Sequence, residues 1–392
     1  MVEEFMEENP EFFRNGKEAI VIKDLSGKWE YKRQRLNSKK TKPQNIPINK
    51  FLGERQKGQS VVSQNLEQKV IKDSLQVSYR KSEAQNHEIL KKETIRRRLI
   101  QKGQKAENLE KTKKESLIIS EEKTKDATKE GSYKKSRGSK VRSILGKIFG
   151  WERLYLMVDG VGVQGQGKGW EGTKECKVGT ILSQKGAEIK EIGSFCTWQR
   201  LPGFKRILMV TMLFAIGLAG IYSEIIIISD GAKWIRNLRK WIPCLNSATW
   251  ILDWFHIKDR LEKMLRELEI EREGNIGKYL RTLLWKGKVD EVLTAIDLLP
   301  TSKIEAKKEK QESAKASLIT YIKNQREGLV NYEKYQMKGY FVGSGYVEKT
   351  NDTLVKNRMV RQKRMRWGRF GGEAMMQLLT AMMNDRLDEV FT

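Results

Sequence analysis

The sequence reads as an α/β protein: a mixed sheet flanked by helices, with a helical insertion and an amino-terminal helical region. Three observations lead there. Residues 225–228 are four consecutive isoleucines closed by Ser229, Asp230 and Gly231. A β-branched run ended by a turn signal is a strand buried on both faces. The segment RLYLMVDGVGV alternates, then runs apolar into a second Asp-Gly pair, Asp159 and Gly160. Around these two, the hydropathy pattern orders the chain as strand, strand, strand, helix, strand, helix, strand and then helices.

Composition narrows the function classes. A chain of 392 residues holds two or three domains, and a formal charge of +26 points to a polyanionic partner, because clustered Lys and Arg release counterions when they meet phosphates. The opening MVEEFMEENP does not resemble a signal peptide. The apolar run 207–221, about fifteen residues, is shorter than the roughly 20 that span a bilayer, so no membrane association is expected. Three unpaired cysteines (Cys176, Cys196, Cys244) argue against a disulfide framework or zinc ribbon and for a reducing, cytoplasmic location. With His87 and His256 the only histidines, any metal is expected to be a hard cation held by carboxylates.

Taken in order, residues 1–60 are polar and turn-rich and read as a poorly ordered basic arm or an incomplete lead-in domain. Residues 61–105 carry three short helical patterns. The third, KKETIRRRLIQKGQK, is rich in arginine (Arg96, Arg97, Arg98), which fits a helix-turn-helix reading of DNA or an ordinary charged helical hairpin. Residues 106–150 are dense in Lys, Glu, Thr and Ser and read as a charged linker or a mobile helix. The sheet is expected over 151–257: RLYLMVDGVGV, ECKVGTILS and SFCTWQR as an antiparallel meander, the 207–221 helix, the isoleucine strand, the helix AKWIRNLRKW, and ATWIL ending at Asp253. Trp234, Leu238 and Trp241 share one side of AKWIRNLRKW. Residues 258–337 form a helical insertion, and 338–392 return a glycine turn, a helix, a basic stretch and a last apolar helix. After Asp253, Phe255, Leu261, Met264, Leu265 and Leu268 fall at helical spacing for packing.

Three acidic residues stand in chemically informative settings: Asp159 and Asp230 at strand ends, and Glu348 opening a helix after Gly343, Ser344 and Gly345. Carboxylates from neighbouring strand ends and one helix can share two divalent ions about 3.5–4 Å apart, the arrangement for in-line displacement at phosphorus. Magnesium, or manganese, suits such a set. Each residue also has a structural reading: Asp159 a turn residue, Asp230 and Asp253 helix caps, His256 packed beneath the sheet, Glu348 a first-turn glutamate stabilised by the helix dipole. The basic stretch Lys356, Arg358, Arg361, Lys363, Arg364, Arg366 and Arg369, with Trp367 among them, is placed to contact a DNA backbone, with Lys349 and Lys233 as weaker candidates. Gly160, Gly162 and Gly165 satisfy G-x-G-x-x-G, but QGKGWEGT follows rather than a helix, so a glycine-rich hairpin explains them better than a dinucleotide site.

The motifs VDGVGV, ISDGAKWI, WILDWFH and GSGYVEKTNDTLVKNRMVRQKRMRWG together resemble a bacterial insertion-sequence transposase of the ISKra type, related to Mutator-like elements, over about residues 150–385. The resemblance implies a ribonuclease H-like fold with an Asp-Asp-Glu triad of Asp159, Asp230 and Glu348, and Asp253 with His256 as the Asp-x-x-His signature. It implies two Mg2+ (or Mn2+) and cleavage of double-stranded DNA at terminal inverted repeats, followed by joining of 3′ ends to target DNA. It also implies a homo-oligomer acting on DNA at the nucleoid. A non-catalytic DNA-binding derivative, or a nuclease of the same fold without strand transfer, are the alternatives.

Overall fold

The computed structural model describes residues 2–8, 10–38, 60–126, 153–198, 201–219, 224–362 and 365–391. The chain divides into two compact units, Met1–Lys105 with Asp388–Thr392, and Ala106–Leu387. Among the described residues, no helix is long and apolar enough to cross a membrane.

The first unit opens with helix α1 (Val2–Glu8) and a long antiparallel hairpin of strands β1 (Phe12–Asp24) and β2 (Gly27–Ser38). This corrects the expectation of a poorly ordered arm over 1–60. The cause is a local turn that composition conceals: Asp24 Oδ1 accepts from the backbone N–H of Ser26 and Gly27, at 2.9 and 3.1 Å, and Gly27 takes φ +142°. That closure aligns Ile20 and Ile22 with Tyr31 and Trp29 across the ribbon. Residues 39–59 of the expected arm lie outside the described residues. A short strand β3 (Val61–Val62) pairs with β1, giving the sheet order β2-β1-β3.

Helices α2 (Gln64–Gln76), α3 (Tyr79–Gln85) and α4 (Lys92–Asp126) follow, the first two capped by Ser63 and Ser78, whose hydroxyls accept from the backbone N–H of Leu66 and Lys81. Leu66, Val70, Ile89, Leu90 and Ile95 form their common core. The stretch read as a charged linker or a mobile helix over 106–150 begins as a continuation of α4 to Asp126, its Lys and Glu being good helix formers; residues 127–152 lie outside the described residues.

The second unit holds a mixed five-stranded sheet in the order β6-β5-β4-β7-β8, flanked by helices. Strands β4 (Arg153–Gly165), β5 (Gly172–Lys185) and β6 (Glu188–Thr197) make an antiparallel meander. Helix α5 (Leu201–Ala219) leads to β7 (Glu224–Ser229), which pairs parallel with β4; its four isoleucines are at most 9 % exposed. Short helices α6 (Lys233–Arg236) and α7 (Leu238–Trp241), broken at Asn237 where a single helix was expected, lead to β8 (Thr249–Leu252), parallel to β7.

The helical block comprises α8 (Trp254–Glu267), α9 (Asn275–Trp285), α10 (Val289–Asp297), α11 (Glu305–Asn324) and α12 (Tyr332–Met337). Leu261, Met264 and Leu265 pack as the spacing requires, whereas Phe255 is 54 % exposed, its ring lying against the backbone at Gly343. Helix α13 (Gly345–Asn351) runs into a π-helical segment (Asp352–Val360), and α14 (Arg369–Met383) follows. Phe204 of α5 packs on Phe195 and Trp234. Thr350 of α13 shares a 2.6 Å hydrogen bond with Thr180, and Met376 of α14 meets Cys176. Phe195 and Gly179 alternate with Cys196 and Thr180 along their strands, so the two sets of helices cover opposite faces.

Candidate active site

Strand register brings the aspartates to one level. Met157 pairs with Ile228 and Ser229 pairs with Leu252, so two steps beyond the first pair and one beyond the second set Asp159, Asp230 and Asp253 in a row across three adjacent parallel strands. Adjacent strands lie about 4.8 Å apart, which is why the row concentrates negative charge at the carboxyl ends of β7 and β8. One expectation is corrected: Asp159 lies within its strand, since β4 continues to Gly165 as the arm of a hairpin with β5. Gly160, Gly162 and Gly165 belong to that arm, which agrees with the hairpin reading of the glycine pattern.

Each carboxylate is held differently. Asp159, half-buried, accepts from the N–H of Gly160 through Oδ1 at 2.7 Å and from Asn351 Nδ2 through Oδ2 at 2.6 Å. Asn351 is one turn beyond Glu348 on α13, so this bond docks the glutamate helix over β4. Burial pushes the Asp159 carboxyl above its ordinary value, and the neighbouring charge of Asp230 adds to the rise against the two hydrogen bonds and His256. Asp230 Oδ1 accepts from Ala232 N at 2.9 Å, a local turn rather than a cap of α6, whose N-cap, Ala232, has no side-chain bond.

Asp253 is fully buried and caps α8. Its Oδ1 accepts from the N–H of Phe255 at 2.6 Å and of His256 at 3.3 Å; its Oδ2 accepts from the N–H of Ser344 at 2.8 Å and from the Ser344 hydroxyl. One carboxylate therefore ties the start of α8 to the turn that launches α13. Despite burial, these bonds and His256 hold Asp253 below the ordinary carboxylate range. His256 Nδ1 lies 3.4 Å from Asp253 Oδ2, a contact at the long end of hydrogen bonding. That partner, opposed by burial and aided by the charges of Asp253, Asp230 and Asp159, pushes the imidazole up to about 9.

Asp253, His256 and Glu348 offer ligand atoms that all lie within 4.8 Å of one another, a cluster able to hold a metal ion, with Asp253 buried, His256 half-buried and Glu348 exposed. An imidazole nitrogen with two carboxylates suits Zn2+ or Mn2+ better than Mg2+, which prefers oxygen ligands. The capable cluster thus joins Glu348 to the Asp-x-x-His pair, while Asp159 and Asp230 face it through charge.

Residues remote in sequence brace this row. Tyr321, on α11, donates its hydroxyl to the Asp230 carbonyl at 2.7 Å, and Gln325 donates to the Gly231 carbonyl at 3.0 Å. Gly231 takes φ +81°, and a Cβ there would lie 2.6 Å from the Gln325 side chain. Tyr332 donates to the Leu252 carbonyl at 3.0 Å. The helical block therefore buttresses the ends of β7 and β8. Ser344, Asn351, Tyr321 and Gln325 escaped the sequence reading, because only the pairing of distant segments reveals their partners.

The basic residues separate into groups. Lys349, Arg366 and Arg369 are exposed. The Arg369 guanidinium lies 5.5 Å from the Trp170 ring centre, beside the loop at Trp367, which is tied to the β4–β5 hairpin by paired backbone bonds with Gln164 and Gln166. Lys356 and Arg361 both pair with Asp352, at 3.2 and 2.8 Å. Arg358 corrects the expectation of DNA contact: it is 1 % exposed and stacks on Trp367, because the π-helical turn rotates it inward. In the first unit Arg96 and Arg97 are exposed, whereas Arg98 pairs with Glu67 at 2.6 Å and joins α4 to α2. Lys363 and Arg364 lie outside the described residues.

No curated protein matches the chain. The model of an uncharacterised protein family (UPF0236) matches residues 219–389, a span that takes in Asp230, Asp253, His256 and Glu348 and leaves out Asp159.

Proposed function

We propose that this chain is a metal-dependent phosphodiester-cleaving enzyme acting on DNA: a transposase of the Asp-Asp-Glu kind on a ribonuclease H-like sheet, cutting at terminal inverted repeats and joining the freed 3′ ends to target DNA. The row of Asp159, Asp230 and Asp253, facing the helix that carries Glu348, is the observation that supports this reading. Negative charge gathered in one row is costly without a cation; the Asp159 carboxyl, raised chiefly by burial, is raised further by the charge of Asp230. Divalent cations bound here would supply Lewis acidity at the scissile phosphate. Asp159, Asp230 and Glu348 would hold two Mg2+ or Mn2+, and Asn351 fixes the face that Asp159 presents. Asp253, its oxygens already engaged, orients His256 and the Ser344 turn. Arg366 and Arg369 would steady the DNA backbone, and the protein would act as a homo-oligomer on DNA.

The test is incubation of the purified protein with Mg2+ or Mn2+ and a supercoiled plasmid carrying the DNA that flanks the coding region. Nicked and joined products are expected, with Asp230→Asn and Glu348→Gln abolishing both while DNA binding persists. Nicking unaffected by Asp230→Asn refutes the site. Cleavage without joining assigns a nuclease, and binding without cleavage assigns a non-catalytic DNA-binding protein.

A further inference from the structure

We propose that Arg260 binds a backbone phosphate of a nucleic-acid strand laid along the acidic row. It lies within α8 and is exposed. It shares one face of that helix with His256, one turn nearer the helix start. Helical side chains lean toward the amino terminus, and Asp253 caps that end of α8, so the long Arg260 side chain leans back toward the carboxylates.

Its neighbour is a ring rather than an acid. The guanidinium carbon lies 4.0 Å from the centre of the Tyr321 ring, on α11. His256, Ile257, Lys263 and Met264 stand three and four residues away, so α8 offers no carboxylate at ion-pairing spacing. Among the described residues Arg260 makes no ion pair, and neither Asp159, Asp230 nor Glu348 pairs with a Lys or Arg. The guanidinium therefore does not serve to neutralise the row. Tyr321 donates its hydroxyl to the Asp230 carbonyl at 2.7 Å, so one ring joins the arginine to the strand end that carries Asp230. Burial pushes this phenol up to about 12, opposed by the charge of Arg260 and aided by those of Asp230 and Asp253, so the ring feels the cation and the row together.

A guanidinium laid on a ring is held in place yet keeps its fork of N–H donors free, so little rotamer freedom is lost on binding. That planar fork matches the paired oxygens of a phosphate or a carboxylate. The formal charge of +26 on the chain selects the phosphate, since acidic and basic partners alike must approach through that field. That the phosphate belongs to DNA being cleaved rests on the function proposed above; the contact itself does not.

The test is fluorescence anisotropy of a short labelled duplex, taken from the DNA that flanks the coding region, with the full-length protein in EDTA across a salt series. Arg260→Ala is expected to weaken binding by about fivefold and to lower the slope of log affinity against log salt by about 1, the signature of one lost phosphate contact. Arg260→Gln, which keeps the stem against the ring, should do the same, and Arg260→Lys should keep the slope. Tyr321→Phe, which retains the ring, should bind as the wild type does. An arginine that merely joined α8 to α11 would lower the urea midpoint and leave the slope alone; an unchanged slope in both the alanine and glutamine variants overturns the proposal. Nicking at the wild-type rate by Arg260→Ala together with that unchanged slope removes the phosphate contact and keeps the enzyme. A lowered slope in a protein that nicks nothing under Mg2+ or Mn2+ keeps the contact and removes the enzyme.

Discussion

Asp253→Asn tests whether one buried carboxylate holds the site together. The carboxylate has no solvent exposure and accepts from Phe255, His256 and Ser344. Asparagine is the same size but keeps only one acceptor oxygen. If that oxygen stays with the α8 N–H groups, the amide NH2 faces the N–H of Ser344, donor against donor. The Ser344 hydroxyl can turn to accept; the backbone N–H cannot. Loss of a charge-assisted bond, about 1.5–3 kcal/mol, and one buried unpaired donor, about 1–3 kcal/mol, sum to roughly 4 kcal/mol. With a urea slope of about 2 kcal/mol/M, the midpoint should fall by about 2 M. The assay is urea unfolding of the metal-free protein followed by tryptophan fluorescence, since Trp250 and Trp254 lie next to this residue. A shift below about 0.3 M, within the uncertainty of such measurements, would refute the argument that Asp253 joins the two helix starts.

The Asp253–His256 pair makes stability pH-dependent on both sides. The imidazole, raised to about 9, contributes fully below its unfolded value of 6.5 and loses that contribution as pH rises through about 9. Asp253, held below 3.8, contributes above that value and fails as pH falls through its lower folded value; His256→Asn should flatten the alkaline limb alone in denaturation series of metal-free protein. Gly231→Ala, at φ +81° against Gln325, should cost about 1–3 kcal/mol in urea unfolding, because the strained backbone and the displaced glutamine act together. Arg358→Ala should lower the melting temperature while leaving the salt dependence of DNA binding unchanged, whereas Arg366→Ala should reduce the slope of log affinity against log salt by about 1.

Local signals carried far. The isoleucine run of β7, the turn after it and the periodicity of α8 are patterns within a dozen residues, and from them come the mixed sheet, the ends of β7 and β8, and the placement of Asp230 and Asp253. The hairpin over β1 and β2 escaped because its apolar residues alternate across a long, charged ribbon whose one decisive feature is the Asp24 turn.

Composition and short-range order thus determined the class of sheet, the excess of positive charge and the place of Asp230 and Asp253 at strand ends, though not that of Asp159, since backbone geometry over a few residues follows from neighbouring side chains. Tertiary structure alone decided the register that lines up Asp159, Asp230 and Asp253, the bond from Asn351 to Asp159 across 192 residues, and the inward turn of Arg358. Strand pairing and helix docking are settled by contacts between segments far apart in the chain. No window of sequence contains both partners.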